Sequence, residues 1–303
     1  MDRICEDRVA VVTGGGRGIG RGHALELARQ GAKVVVNDLG AAVDGEGATV
    51  ATAQQVVNEI REAGGQAIVS GDDISKLAGA EALVQSALDA YGDLHVVVNN
   101  AGILRDRMIV NLSEDDWDAV MAVHLKGTFL TTRAAAQVWR ERSKNGIPAD
   151  ARVINTSSVS GLFGNVGQSN YGAAKAGIAA FTIIASMELG RYGVTVNAVS
   201  PSARTRMITP RGQERMAAPP ETEAFDTYAP DNIAPLVAWL ASPLSSGITG
   251  RVFNVSGGRI SVLEGWHEGP TADKGRRWDP AELSEVVPDL VARAAPNVDL
   301  RAG

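Results

Sequence analysis

Tyr171 and Lys175 lie four residues apart in a stretch of helical pattern, so both project from one face. A phenol beside an ammonium offers proton chemistry. The positive charge favours phenolate and is expected to bring the Tyr171 pKa down from its reference of about 10 toward neutrality. Such a phenol exchanges a proton with a carbinol oxygen, the proton half of alcohol–ketone redox, a transfer typically worth about 10²–10⁴ in rate. Ser158, thirteen residues before Tyr171 and just past a strand-like run, adds a hydroxyl able to hold the substrate oxygen. A Tyr/Lys pair at this spacing is common on helix surfaces, so the pair gains meaning only from its company.

The hydride half needs a carrier, and the chain offers a site for one. Thr13-Gly14-Gly15-Gly16-Arg17-Gly18-Ile19-Gly20 follows the first strand-like run and opens a helical one. Its glycines permit a tight turn and let backbone N–H groups approach a pyrophosphate at the helix N-terminus. Asp38 closes the next strand-like run, 18 residues after Gly20, near the spacing of an acid that bonds the adenosine ribose. A carboxylate there would repel a 2′-phosphate, so NAD(H) is expected over NADP(H). Arg17 pulls the other way. A direct like-charge clash excludes a ligand better than a nearby cation recruits one, so Asp38 decides.

These residues must be placed by alternating strands and helices. Strands are expected at Val9–Thr13, Lys33–Asn37, Ala67–Ser70, Val96–Asn99, Arg152–Thr156, Thr195–Val199 and Val252–Val255. Helices are expected at Ile19–Gln30, Thr49–Ala63, Leu77–Tyr91, Glu114–Arg142, Asn170–Arg191 and Asp231–Ala241. Runs such as Val34-Val35-Val36 and Val96-Val97-Val98 suit strands buried on both faces. The expected fold is α/β: a Rossmann-type, doubly wound parallel sheet of about seven strands, with helices on both faces and ligands at the carboxyl ends of the strands. Residues 1–258 read as one catalytic, NAD-binding unit with a substrate loop at 202–229. Residues 259–303 read as an extension too short to be a domain, with a helix starting near Asp279-Pro280 and stopping at Pro288.

Composition narrows the classes. The chain has 303 residues, 45% of them hydrophobic, and a net charge of −6. A mildly acidic chain without a basic run argues against nucleic acid or an anionic membrane as main partner. One cysteine allows no internal disulfide, and four scattered histidines suggest no metal cluster. Met1–Arg8 is charged, and no apolar run is read as long enough for a membrane span; the expectation is a cytoplasmic protein.

Taken together, the string Thr13–Gly20, Asn99-Asn100-Ala101-Gly102, Ser158, Tyr171 and Lys175 resembles the short-chain dehydrogenase/reductase family in order and spacing, over about residues 7–258. The resemblance implies that Tyr171 is the general acid/base, that Lys175 also binds the nicotinamide ribose, and that Ser158 orients the substrate oxygen. It further implies a dinucleotide site lined by Gly14, Arg17, Gly18, Ile19 and Gly20, with Asn100, Ala101 and Gly102 bordering the adenosine side and Asp73 and Ile74 beside the adenine. Many members carry an Asn that anchors a proton-relay water; His124 stands at that place here, able to bond a water or a backbone carbonyl instead. The family's Pro-Gly after the sixth strand reads Pro201-Ser202, with Thr205 the expected nicotinamide-carboxamide partner.

Asn37–Gly47, Asn99–Arg107, Trp117, Val123-His124-Leu125 and Gly164–Tyr171 further resemble a subgroup, the (3R)-hydroxyacyl-CoA dehydrogenase domains of peroxisomal multifunctional enzymes. That likeness implies NAD-dependent interconversion of a secondary alcohol and a ketone, with a 3-hydroxyacyl-CoA or a related hydroxysteroid as substrate. A 3-oxoacyl-carrier-protein reductase, another short-chain alcohol dehydrogenase and a catalytically silent NAD-binding regulator remain alternatives. Arg105 and Arg107 are expected in structural salt bridges, and Trp266, His267 and Trp278 in packing on a partner subunit rather than in the pocket wall. The family commonly forms homodimers or homotetramers through its long helices.

Overall fold

The apolar runs become strands because each has two faces to bury. The computed structural model describes residues 3–47, 49–147, 149–207, 214, 216–217 and 225–298. Seven strands run parallel: β1 (Val9–Thr13), β2 (Lys33–Asn37), β3 (Gln66–Ser70), β4 (Val96–Asn99), β5 (Ala151–Thr156), β6 (Val194–Ser202) and β7 (Val252–Ser256). An eighth, β8 (Arg259–Leu263), pairs antiparallel with β7 at the edge. The sheet order is β3-β2-β1-β4-β5-β6-β7-β8. Alternation of side chains splits each run between two apolar layers. Ala10, Val12, Val34, Val36, Val96 and Val98 enter one layer, and Val9, Val11, Val35 and Val97 the other.

Helices cover both layers. α1 (Gly18–Arg29), α2 (Ala51–Glu62) and α8 (Ala234–Ala241) close the first with Leu27, Ile60 and Val237. α3 (Leu77–Tyr91), α5 (Gly127–Lys144) and α7 (Ser169–Leu189) close the second with Leu83, Trp139 and Ala185. The shorter α4 (Glu114–Met121) and α6 (Val159–Leu162) lie at the carboxyl edge, and α9 (Leu283–Arg293) follows β8. Strand order reverses between β1 and β4, which opens a crevice at their carboxyl ends.

Several expectations needed correction. The helix expected over Glu114–Arg142 is interrupted by one π turn at Ala122–Lys126, whose extra residue re-aims His124. Strand β6 runs on through Pro201. It pairs with β5 no further than Thr156↔Val199, so the missing N–H of Pro201 costs no ladder bond on that side. The eighth strand was not expected; Gly257-Gly258 forms a two-residue hairpin turn with Gly257 at φ 55°, which takes residues 259–263 from the expected extension into the sheet. Pro288 does not stop α9, which runs through it. None of its residues is buried, so the carbonyl that loses its partner can be met by water. The segment Ser169–Tyr192 is long and apolar enough, by composition, to cross a membrane, contrary to expectation. Here it packs on β5 and β6 as a core helix, with Ala174, Ile178 and Ala185 buried. Positions 208–213, 215 and 218–224 of the expected substrate loop lie outside the described residues.

Candidate active site

The end of β1 delivers Thr13 to the crevice. Its hydroxyl accepts from the backbone N–H of Asn100 at 3.0 Å and of Ala101 at 3.1 Å. The Asn100 amide donates in turn to the carbonyls of Thr13 and Gly14, both at 3.1 Å, so the loops after β1 and β4 are tied together. Glycine is required where they touch. A β-carbon on Gly14, at φ 63°, would come 2.7 Å from Cα of Ala101, and one on Gly20 would lie 2.0 Å from the Gly14 oxygen. The first-turn N–H groups of α1 have no side-chain cap and no acid nearby in sequence, which leaves them for an anion. Asp38 follows β2 directly; its carboxylate accepts from Gly16 N–H at 2.9 Å and Gly40 N–H at 2.6 Å. Asp73 lies three residues past β3, which stops at Ser70; Ser75 N–H and Oγ donate to it at 3.0 and 2.6 Å.

The proton-active groups come from β5, α6 and α7. Lys175 is buried, and its Nζ donates to the Thr156 carbonyl at 2.6 Å. Ser157 donates to the Lys175 carbonyl at 2.8 Å, which fastens α7 to the end of β5. Ser158 caps α6, its hydroxyl accepting from Ser160 N–H at 3.2 Å. Lys175 Nζ lies 5.6 Å from the centre of the Tyr171 ring. Asn170 sets the start of α7. Its side chain donates to the carbonyls of Arg105 at 3.0 Å and Asp116 at 3.3 Å, while its oxygen accepts from Tyr171 N–H at 2.8 Å.

The electrostatics differ from the expectation drawn from spacing. Burial pushes the Tyr171 phenol up to about 12, with the neighbouring Ser158 hydroxyl pulling the other way. Burial also brings the Lys175 ammonium down to about 7. Desolvation outweighs attraction here because the lysine is itself buried and spends its hydrogen bond on a carbonyl, not on the phenol. In the protein alone, therefore, Tyr171 holds its proton.

His124 reaches the same place from the π turn. Its Nε2 lies 2.8 Å from the Ile103 oxygen and 3.1 Å from the Ile103 nitrogen, and its Nδ1 is buried without a partner among the described residues. Burial, then the charge of Lys175, lowers its pKa to about 3, so the ring is neutral. It meets the Tyr171 ring edge-on. The relay position thus bonds backbone, as an imidazole can.

One cleft of about 1240 Å³ collects these groups. Gly14, Arg17, Gly18, Ile19, Gly20, Asp38, Asp73, Ile74, Ser158, Tyr171, Lys175 and His124 all line it. Asn100, Ala101, Gly102, Pro201 and Thr205 complete the lining. The uncapped helix end, the glycine cradle and the acid past β2 suit a nicotinamide dinucleotide. Arg105 behaves as a structural cation, within 3.4 Å of Glu46 and 3.6 Å of Asp116. Arg107 departs from expectation: among the described residues it makes no ion pair and donates only to the Asp106 carbonyl, at 2.9 Å. Trp266 is fully exposed, Trp278 lies under the Lys274 ammonium at 4.8 Å, and neither lines the cleft. Sequence reasoning missed Asp106 and Gln168, joined at 2.7 Å beside Tyr171, and missed Arg206 in the cleft wall. The isolated backbone bridge Arg107↔Gln168 beside that contact leaves no mark in local periodicity.

Comparisons with known proteins agree with this geometry. A family model described as short chain dehydrogenase matches residues 8–215. The chain is 45% identical to a hydroxyacyl-CoA dehydrogenase, ChsB1, of Mycobacterium tuberculosis, over 97% of this chain and 92% of that one. It is 41% identical to mouse peroxisomal multifunctional enzyme type 2 over 85% of this chain, which spans 33% of that longer protein. A crystal structure of a short chain dehydrogenase from Mycobacterium avium superposes with a TM-score of 0.87 at 53% identity, covering 97% of this chain and 98% of that one. A likeness that holds at this identity over nearly the whole length carries the fold and the chemistry together: the chain belongs to the short-chain dehydrogenase/reductase family of oxidoreductases.

Proposed function

We propose that this oxidoreductase interconverts a 3-hydroxyacyl-CoA and the corresponding 3-oxoacyl-CoA, with NAD(H) as the preferred cofactor. The observation that carries the redox reading is the convergence of Ser158, Tyr171 and Lys175 in the cleft that also holds the glycine loop. The substrate class rests on relatives named as hydroxyacyl-CoA dehydrogenase and peroxisomal multifunctional enzyme. The cofactor preference rests on Asp38, fixed by two backbone N–H groups beside the glycine loop.

Ser158 holds the substrate oxygen by its hydroxyl. Tyr171 Oη gives a proton to that oxygen in reduction and takes one in oxidation. Lys175 Nζ, anchored on Thr156, stabilises the phenolate side of that exchange and bonds the nicotinamide ribose. His124 and Asn170 hold the Tyr171 ring and backbone in place. The nicotinamide, when bound, accepts or supplies the hydride.

The exposed faces of α5 and α7 support a homo-oligomer. Phe129 and Met187, 44% and 76% exposed, line a groove of about 700 Å³, and Ile184 on α7 is 54% exposed. Apolar exposure on two adjacent long helices marks an association surface.

A substrate panel tests the reading. 3-Hydroxyacyl-CoA, an acyl-carrier thioester and a sterol alcohol are each assayed with NAD and NADP. The acyl-CoA with NAD is expected to give the highest kcat/KM, at least tenfold above the same substrate with NADP. A carrier thioester or sterol turned over faster would overturn the substrate assignment, and faster turnover with NADP the cofactor assignment.

A further inference from the structure

Arg206 stands on the segment that follows β6, 165 residues along the chain from Ala41, yet its Nη2 donates to the Ala41 carbonyl at 3.0 Å. Arg17, from the glycine loop, points its Nη1 at the same oxygen at 3.5 Å. Two guanidinium groups therefore converge on one neutral acceptor. Among the described residues neither pairs with a carboxylate.

Other arginines nearby are engaged. Arg204, two residues earlier on the same segment, is locked to Asp226. Arg21, one turn along α1 from Arg17, pairs with Glu59. Partial burial, and then the like charge of Arg17, lowers the Arg206 pKa, while Asp38 works against both. Asp38 is held by two backbone N–H groups and forms no ion pair with either guanidinium among the described residues. Like charges brought together without a shared acid make an anion-seeking pair.

The position of the pair fits this. Thr205, the neighbour of Arg206, lies against Gly18, with its Cγ2 3.6 Å from where a β-carbon there would be. Arg206 thus spans the mouth of the cleft, from the uncapped start of α1 to the loop after β2.

We propose that Arg206 is a cofactor-binding residue, a guanidinium carried across the cleft by the segment after β6 to hold, with Arg17, a phosphate group of the dinucleotide. This rests on the reading that the cleft takes a nicotinamide dinucleotide. Arg17 and Arg206 flank the stretch between Asp38 and Thr205, so the pyrophosphate is the expected partner.

Calorimetric titration of the wild-type protein, Arg206→Ala and Arg206→Lys with NADH, NADPH and adenosine tests it. The alanine variant is expected to bind NADH and NADPH at least fivefold more weakly, the lysine variant within about twofold of wild type, and adenosine unchanged in all three. A loss confined to NADPH overturns the pyrophosphate contact. Unchanged binding of both dinucleotides by Arg206→Ala, or an equal loss with adenosine, overturns the proposal and leaves the dinucleotide reading standing. A wild-type protein that binds neither dinucleotide removes that reading, and this proposal with it.

Discussion

A β-carbon on Gly102 would lie 2.3 Å from Cε1 of His124, so the glycine exists to make room for the imidazole. That ring in turn meets Tyr171 edge-on, centroids 5.2 Å apart and planes at 89°. Gly102→Ala is therefore expected to push His124 against the Tyr171 phenol. Overpacking of this kind costs about 1–3 kcal/mol, and kcat should fall with it. Chemical denaturation and steady-state kinetics on the one variant check both; unchanged stability and kcat would contradict the packing argument.

Acid should unfold this protein earlier than its carboxylates require. Burial lowers His23 and His124 to about 3, and both nitrogens of His23 lack partners among the described residues. The folded pKa lies below the unfolded value of about 6.5, so below pH 6.5 the unfolded chain binds protons that the folded chain refuses. Stability is complete above that pH and falls on acidification, by about 2 kcal/mol per histidine at pH 5. Burial shifts His95 in the same direction. His23→Leu is expected to flatten the slope of unfolding free energy between pH 6.5 and 5, and an unaltered slope would remove His23 from the account.

Lys175 is held at a cost to the fold. Its folded pKa of about 7 lies well below the unfolded value of about 10.4, so the fold carries a cost that is full below pH 7 and fades as pH rises from 7 to about 10.4. Lys175→Met loses the bond to Thr156 but ends that penalty. The variant is expected to be more stable by about 1–3 kcal/mol at pH 7 while losing nearly all turnover. Thermal melts read the first effect and the assay the second; a lower melting temperature would contradict it.

The apolar strip on α7 makes a further prediction. Ile184→Glu combined with Met187→Glu places two charges on exposed positions of the proposed contact face. Sedimentation is expected to show a monomer in place of a dimer or tetramer. A wild-type protein that sediments as a monomer, or an unchanged oligomer in the variant, would discard the interface.

Much of this architecture was legible in the residues. Strands β1, β2 and β4 announced themselves as valine runs, because a sheet covered on both faces needs apolar side chains at consecutive positions. The edge hairpin was also written there, as Gly257-Gly258 between alternating runs, though it is easily passed over beside stronger signals. The π turn at His124 was not legible, since one extra residue in a helix leaves the apolar period nearly intact. Spacing placed Tyr171 and Lys175 on one face but misjudged their pKa values. Proximity along a helix carries no information on how deeply the tertiary structure buries a charge. Arg206 was hidden for another reason: its partner Ala41 lies on the far wall of the cleft.

The account turns on the phenol of Tyr171 as the group that moves the proton. Tyr171→Phe keeps the ring against His124 and removes only the hydroxyl. With 3-hydroxyacyl-CoA and NAD, followed by NADH absorbance, kcat is expected to fall by about 10²–10⁴, while NADH still binds within twofold of wild type. Turnover within tenfold of wild type would contradict the account.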